Sequence, residues 1–158
     1  MKIVDLDGYG LNPGDLSWDG FKKLGDFTTY DRTGNDDRLI LQRIGDAPIV
    51  LTNKTPLDRQ VIAAASNLKY IGVLATGYNV VDLAAAKEKK IIVTIIPSYS
   101  TNEVAQHTFA LLLEITNQVG LHATAVRDGK WTDAKDFTFW EKPLISLTDK
   151  TFALVGFG

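Results

Sequence analysis

Residues 69–96 read KYIGVLATGYNVVDLAAAKEKKIIVTII, and their pattern decides the fold. Tyr70–Ala75 is an apolar run of strand length. Val80–Lys89 carries apolar residues at helical spacing behind Asn79, which is placed as its cap. Residues 91–96 are β-branched almost throughout, which predicts a strand buried on both faces. Two strands joined through a helix are parallel, because a parallel crossover needs such a connection.

The same rhythm extends upstream. Residues 3–6 (IVDL) predict a first strand, ending in the turn residues Asp7, Gly8, Asn12, Pro13 and Gly14. Ser17 is placed as the cap of a helix carrying Trp18, Phe21 and Leu24 and closed by Gly25. Phe27–Tyr30 predicts a second strand, and Leu39, Ile40 and Ile44 a helix stopped by Gly45. Ala47–Leu51 is the third strand, followed by the loop Thr52–Pro56 and a helix over Asp58–Ala65. Such alternation predicts a parallel sheet with helices on both faces. Ligands bind such sheets beyond the carboxyl ends of the strands, so the loops Asp7–Gly14, Thr52–Pro56 and Ala75–Asn79 should share one edge.

Downstream the character changes. Ser100-Thr101-Asn102-Glu103 matches a capping box. Val104, Ala105, Thr108, Leu111, Leu112, Ile115 and Val119 form a mostly apolar stripe, predicting one long helix to about Arg127. Residues 128–150 are irregular and aromatic, holding Trp131, Phe137, Phe139 and Trp140. A last strand is expected over Phe152–Val155, running into Gly156-Phe157-Gly158.

Composition narrows the function classes. Seventeen basic and nineteen acidic residues leave a formal charge of −2 with no basic stripe, which argues against nucleic acid or an anionic membrane as partner. The absence of cysteine rules out a disulfide scaffold and thiolate metal sites. Asp5 and Asp7 stand where a signal peptide would need its apolar stretch, and no run reaches the ~18 residues of a membrane span. A cytoplasmic protein is the resulting expectation.

Few residues offer chemistry. Gly156-Phe157-Gly158 after a strand fits the start of a phosphate-binding turn, or a plain tight turn. Ala75-Thr76-Gly77, between a strand and a capped helix, suits a carboxylate or phosphate; equally, Gly77 can simply permit a turn. His107 and His122 stand on the long helix without a triad or metal spacing, and Lys54 reads as a solvated loop residue. Asp5 and Asp7 make no convincing acid–base pair. No metal site is expected.

The motifs TNKTPLD (52–58), KYIGVLATGYNVVDLAAAKEKKI (69–91), STNEVAQHTFALLLE (100–114) and TFALVGFG (151–158), in this order, resemble the NAD-dependent D-2-hydroxyacid dehydrogenases, in particular the glycerate dehydrogenase or hydroxypyruvate reductase branch. The resemblance implies an α/β fold. It comprises a flavodoxin-like parallel-sheet substrate domain over 1–98, then from 99 to 158 a hinge helix, a dimerisation arm and the first strand of a truncated Rossmann domain. It further implies that the amides of Ala75, Thr76 and Gly77 hold the carboxylate of a small 2-hydroxy or 2-keto acid, D-glycerate or hydroxypyruvate, with Ser100 close to that substrate. Val104, Gly156, Phe157 and Gly158 take positions at NAD. The 120–150 arm, Trp140 included, makes a homodimer contact or reaches the neighbour's active site.

Departures from the family pattern are as informative. The catalytic Arg, Glu and His of the family follow the glycine fingerprint, and no residue of this sequence matches them. Gln106 replaces the acidic residue usual before the helix histidine. The chain therefore reads as a dehydrogenase cut two glycines into its cofactor loop and inactive by itself. The alternatives are a nucleotide-sensing corepressor-like protein and a short flavodoxin-like binding protein.

Overall fold

The computed structural model describes residues 1–156 and divides into two compact units, Met1–Tyr99 and Ser100 onward. The first unit is built on five parallel strands: β1 (Lys2–Asp5), β2 (Asp26–Thr29), β3 (Ile49–Thr52), β4 (Tyr70–Val73) and β5 (Ile92–Thr94). Their order across the sheet is β2-β1-β3-β4-β5, the doubly wound order of flavodoxin-like sheets. The registers Ile3↔Ile49, Ile49↔Tyr70 and Tyr70↔Ile92 put these residues on one face. Val4, Val50 and Ile71 stand on the other.

That second face carries the core. Helices α2 (Asp37–Ile44), α3 (Arg59–Ala64) and α4 (Leu83–Glu88) supply Ile40, Ile44, Val61, Ile62, Ala85 and Ala86. These bury against Val4, Leu6, Val50, Ile71 and Val73. Each helix starts on an aspartate whose carboxylate accepts a first-turn amide: Asp36 from Arg38, Asp58 from Val61 and Asp82 from Ala85. Such caps satisfy donors that have no partner within the helix.

Helices lie on both faces, but among the described residues their coverage is unequal. Within the first unit the opposite face meets the short helix α1 (Asp19–Lys22), where Trp18, Phe21 and Phe27 cluster with ring centroids 5.3–5.7 Å apart. At β5, Ile92 and Thr94 are exposed among the described residues. The expectation that 91–96 is buried on both sides is therefore corrected. Among the described residues β5 is an edge strand, and β-branching encodes strand preference without encoding which strands are central.

Asn79 is not the cap expected for α4. Val80 O accepts from Leu57 N, and Asp82 N donates to Leu57 O, in a parallel bridge between Leu57 and Val81. Residues 80–81 are thus committed to extended pairing, and the cap of α4 is Asp82, three residues after Asn79. Ser17 is likewise one place early: Trp18 caps α1, while the Ser17 hydroxyl accepts from Asp19 N.

In the second unit, the single helix expected to Arg127 is two: α5 (Thr101–Asn117) and α6 (Val119–Arg127). Gln118 between them is left-handed, with φ 50°. The Glu114 carboxylate takes the Gly120 amide at 3.1 Å, capping α6 from within α5. Thr, Asn, Val and Gly around the break are weak helix formers. Ser100 is the N-cap of α5 but makes no side-chain capping bond, so the capping box does not close. Residues 152–155 pair with no strand among the described residues, so the last strand is not formed here. A strand needs a ladder partner for its N–H and C=O groups, and apolar composition does not provide one.

Candidate functional site

The carboxyl ends of β1, β3 and β4 bring three loops to one edge, as the alternation predicts. Their geometry is set largely by main-chain bonds. Leu6 N donates to Leu51 O and Leu74 N to Thr52 O, so each loop leaves the sheet in register with its neighbour.

The β4 loop begins at Ala75, which is buried in the core, and then emerges: Thr76, Gly77, Tyr78 and Asn79 are exposed. Ala75 O accepts from Ile96 N at 3.1 Å, and the Thr76 hydroxyl donates weakly to Ile96 O at 3.3 Å. Val81 N closes the turn onto Tyr78 O. Among the described residues, no protein oxygen accepts from the amides of Ala75, Thr76 or Gly77. Gly77 leaves the surface open, the nearest atom to an added Cβ being Asn79 Oδ1 at 3.6 Å. Unclaimed successive N–H groups on an exposed turn are suited to an anion.

Beside this turn lies a cavity of about 540 Å³, lined among others by Asn53, Leu74, Ile96, Trp18 and Tyr99. Its walls are mostly apolar, the usual character of small-molecule pockets. A smaller cleft of about 210 Å³ adjoins the β3 loop, where Arg32 and Lys54 face it together with Asp7. Arg32 stacks on Tyr9, its guanidinium carbon 3.9 Å from the ring centroid. Lys54 is exposed, as the sequence suggests.

Asp5 and Asp7 are unpaired as acid and base but are far from idle. Asp5 is fully buried, accepts from the Thr29 hydroxyl at 2.8 Å, and leaves Oδ1 without a hydrogen-bond partner. Burial pushes its carboxyl up to about 6, against the smaller opposing pull of the Thr29 hydroxyl. Gly8 is required beside it, since a Cβ there would collide with the Asp5 carboxylate and the Thr29 hydroxyl. Asp7 reaches across to the β3 loop and accepts three main-chain amides, those of Asn53 and Thr55 at 2.7 Å and that of Lys54 between them. No sequence signal pointed to this contact; only adjacency of β1 and β3 brings residues so far apart in the chain together.

The remaining expected positions belong to the second unit. Ser100 is half-buried at the start of α5, and Val104 is exposed one turn later. Gly156 has φ 89°, with open space around it, a conformation that side chains with a Cβ rarely adopt. That fits the first glycine of a phosphate-binding turn. Phe157 and Gly158 lie outside the described residues. His107 is exposed. His122 is a packing residue: Nδ1 sits 2.9 Å from Gln118 O, while Nε2 accepts from Glu141 N. No helix among the described residues is long and apolar enough to cross a membrane.

Comparison with known proteins identifies the lineage of these elements. The model of the D-isomer specific 2-hydroxyacid dehydrogenase catalytic domain matches residues 12–153. A hydroxypyruvate reductase of Blautia hydrogenotrophica is 53% identical over all of this chain and 49% of its own length. A glycerate dehydrogenase of Methylorubrum extorquens is 31% identical over 99% of this chain, again 49% of its own. Among solved structures, a 2-hydroxyacid dehydrogenase of Ketogulonicigenium vulgare matches with a TM-score of 0.67 at 29% identity, covering 91% of this chain and 44% of that one. The chain thus spans about half the length of the curated relatives it matches.

Proposed function

The chain belongs to the D-isomer specific 2-hydroxyacid dehydrogenase family, and from that premise we propose that the whole protein moves hydride between a nicotinamide dinucleotide and C2 of a small 2-keto or 2-hydroxy acid. Hydroxypyruvate and D-glycerate are the proposed pair, in keeping with the names of the two curated relatives. In this reading residues 1–98 are substrate domain and residues 99–158 open the cofactor domain.

The observation that carries the reading is the β4 turn. The amides of Ala75, Thr76 and Gly77 have no protein acceptor among the described residues, and they leave a strand at the edge where such sheets bind ligands. A substrate carboxylate accepting from them is held by charge-assisted bonds that fix one end of the molecule. Fixing that end orients C2, which is the part of catalysis these residues perform. Ser100 is the further substrate-binding residue of this proposal.

NAD is the proposed cofactor, and when bound it supplies or accepts the hydride. Of this chain's residues, Gly156, Phe157 and Gly158 would lie against its phosphates and Val104 against the nicotinamide ring. The Arg, Glu and His that act on the substrate carbonyl in the family have no counterpart in these 158 residues, so no proton transfer is assigned to them. A cytoplasmic location and a homodimer joined through residues 120–150, with Trp140 in the contact, complete the proposal.

The test is a titration of the ¹⁵N-labelled full-length protein with D-glycerate. The proposal expects the largest amide shifts at Ala75, Thr76 and Gly77. Shifts confined to other loops would remove the turn from the site.

A further inference from the structure

The N–H groups of Asn53, Lys54 and Thr55 converge on a single carboxylate. Asp7 Oδ1 accepts from Asn53, and Oδ2 accepts from both Lys54 and Thr55. Successive main-chain amides aimed at one point form a nest of the kind that captures anions. Here the anion is the protein's own, delivered from the neighbouring strand.

The residues flanking Asp7 and the base of the β3 loop are anchored by other bonds. Asp7 lies between Leu6, whose amide donates to Leu51 O, and Gly8, whose amide donates to Tyr30 O. At the base of the β3 loop the buried Thr52 hydroxyl donates to Thr55 O at 2.7 Å. The loop between these anchors sends Asn53 to the large cavity beside the β4 turn and Lys54 to the adjoining cleft. At the point of division the Asp7 carboxylate bonds all three amides.

We propose that Asp7 is a positioning residue for the ligand site: an internal anion that fills the 53–55 nest and fixes the face the β3 loop turns to the substrate. It has a second consequence. An empty nest beside the site would compete with the β4 turn for the substrate's carboxylate, and Asp7 removes that competitor. The inference rests on the carboxylate-binding reading of residues 75–77.

The experiment compares full-length wild type with Asp7→Ala and Asp7→Asn. In ¹H–¹⁵N spectra, the amides of residues 53–55 should move upfield in Asp7→Ala, and added formate should return them towards their original positions. Asp7→Asn keeps one acceptor oxygen but turns an NH₂ towards donors, so it should shift these amides without rescue by formate. For hydroxypyruvate reduction, Asp7→Ala should raise KM about tenfold, the size expected on losing hydrogen bonds to a charged group. Its kcat should stay within about threefold, the mark of lost binding rather than lost chemistry. Unmoved 53–55 amides would overturn the proposal, as would moved amides with an unchanged KM. If Asp7→Ala does not fold, Asp7→Asn decides: its 53–55 amides should move and its KM for hydroxypyruvate should rise, and failure of either overturns the proposal. Should the wild type reduce no 2-keto acid, the dehydrogenase reading fails, while the amide shifts and formate rescue still decide whether Asp7 holds the loop.

Discussion

The two units handle the same chemistry of apolar side chains in opposite ways. In Met1–Tyr99, Val4, Leu6, Ile40, Val50, Ile62 and Ile71 are almost wholly removed from water between the sheet and three helices. In the residues from Ser100, Val104, Phe109, Leu111 and Ile115 stand exposed along α5, and the buried residue there is Thr116. The starts of the core helices and of α5 differ in the same sense. Asp36, Asp58 and Asp82 each close a helix start in the first unit, whereas Ser100 closes nothing with its side chain. The first unit holds its shape through its own contacts, while the stripe on α5 is a surface whose burial calls for more apolar area than the described residues supply.

Mutations in the two units should therefore differ sharply. Ile71 is fully buried on the interior strand β4, while Ile115 is 67% exposed. Ile71→Ala should cost about 2–5 kcal/mol, from lost transfer energy and the cavity left behind. Ile115→Ala in the 158-residue chain should stay within about 0.5 kcal/mol. Urea titrations of both variants check this, and equal losses would break the comparison. Repeating Ile115→Ala in the full-length protein sharpens it, because a larger cost there would mean that the stripe is covered.

A smaller effect separates core from site within the first unit. Asp5 is buried with one oxygen unpartnered, and its carboxyl is raised from 3.8 to about 6. The folded state therefore binds a proton more tightly than the unfolded chain. Below about pH 4 both states are protonated and the group costs nothing. As pH rises from there through 6 the folded state loses stability, by about 1–3 kcal/mol from this group. Asp5→Asn should flatten that slope, and should gain about 1 kcal/mol at pH 8 while changing little at pH 4. Denaturation midpoints at the two pH values give the answer. An unchanged slope would show that Asp5 is not the group responsible.

Much of the first unit was legible from its residues. The alternation through 69–96 contained the parallel sheet, and the loops after β1, β3 and β4 lie at the common edge it implied. Element ends were less legible, for a physical reason in each case. Asn79 looks like a cap, but Leu57 draws Val80 and Val81 into a bridge, and that competition arises only in the folded sheet. Residues 91–96 look central, yet nothing local to them records which strand lies at the edge. The turn at 75–77 could be singled out because a strand, a glycine and a helix stand in sequence there. The Asp7 clamp could not, since it joins two loops from different strands. In the second unit the apolar period of 101–119 correctly marked helix, but the period alone did not show that the helix stops at Gln118.

The most direct test of the functional account is the oxidation of NADH by the full-length protein with hydroxypyruvate. The account predicts turnover that needs both the 2-keto acid and a reduced nicotinamide dinucleotide. Absence of turnover with hydroxypyruvate, glyoxylate and pyruvate, using either NADH or NADPH, would contradict it.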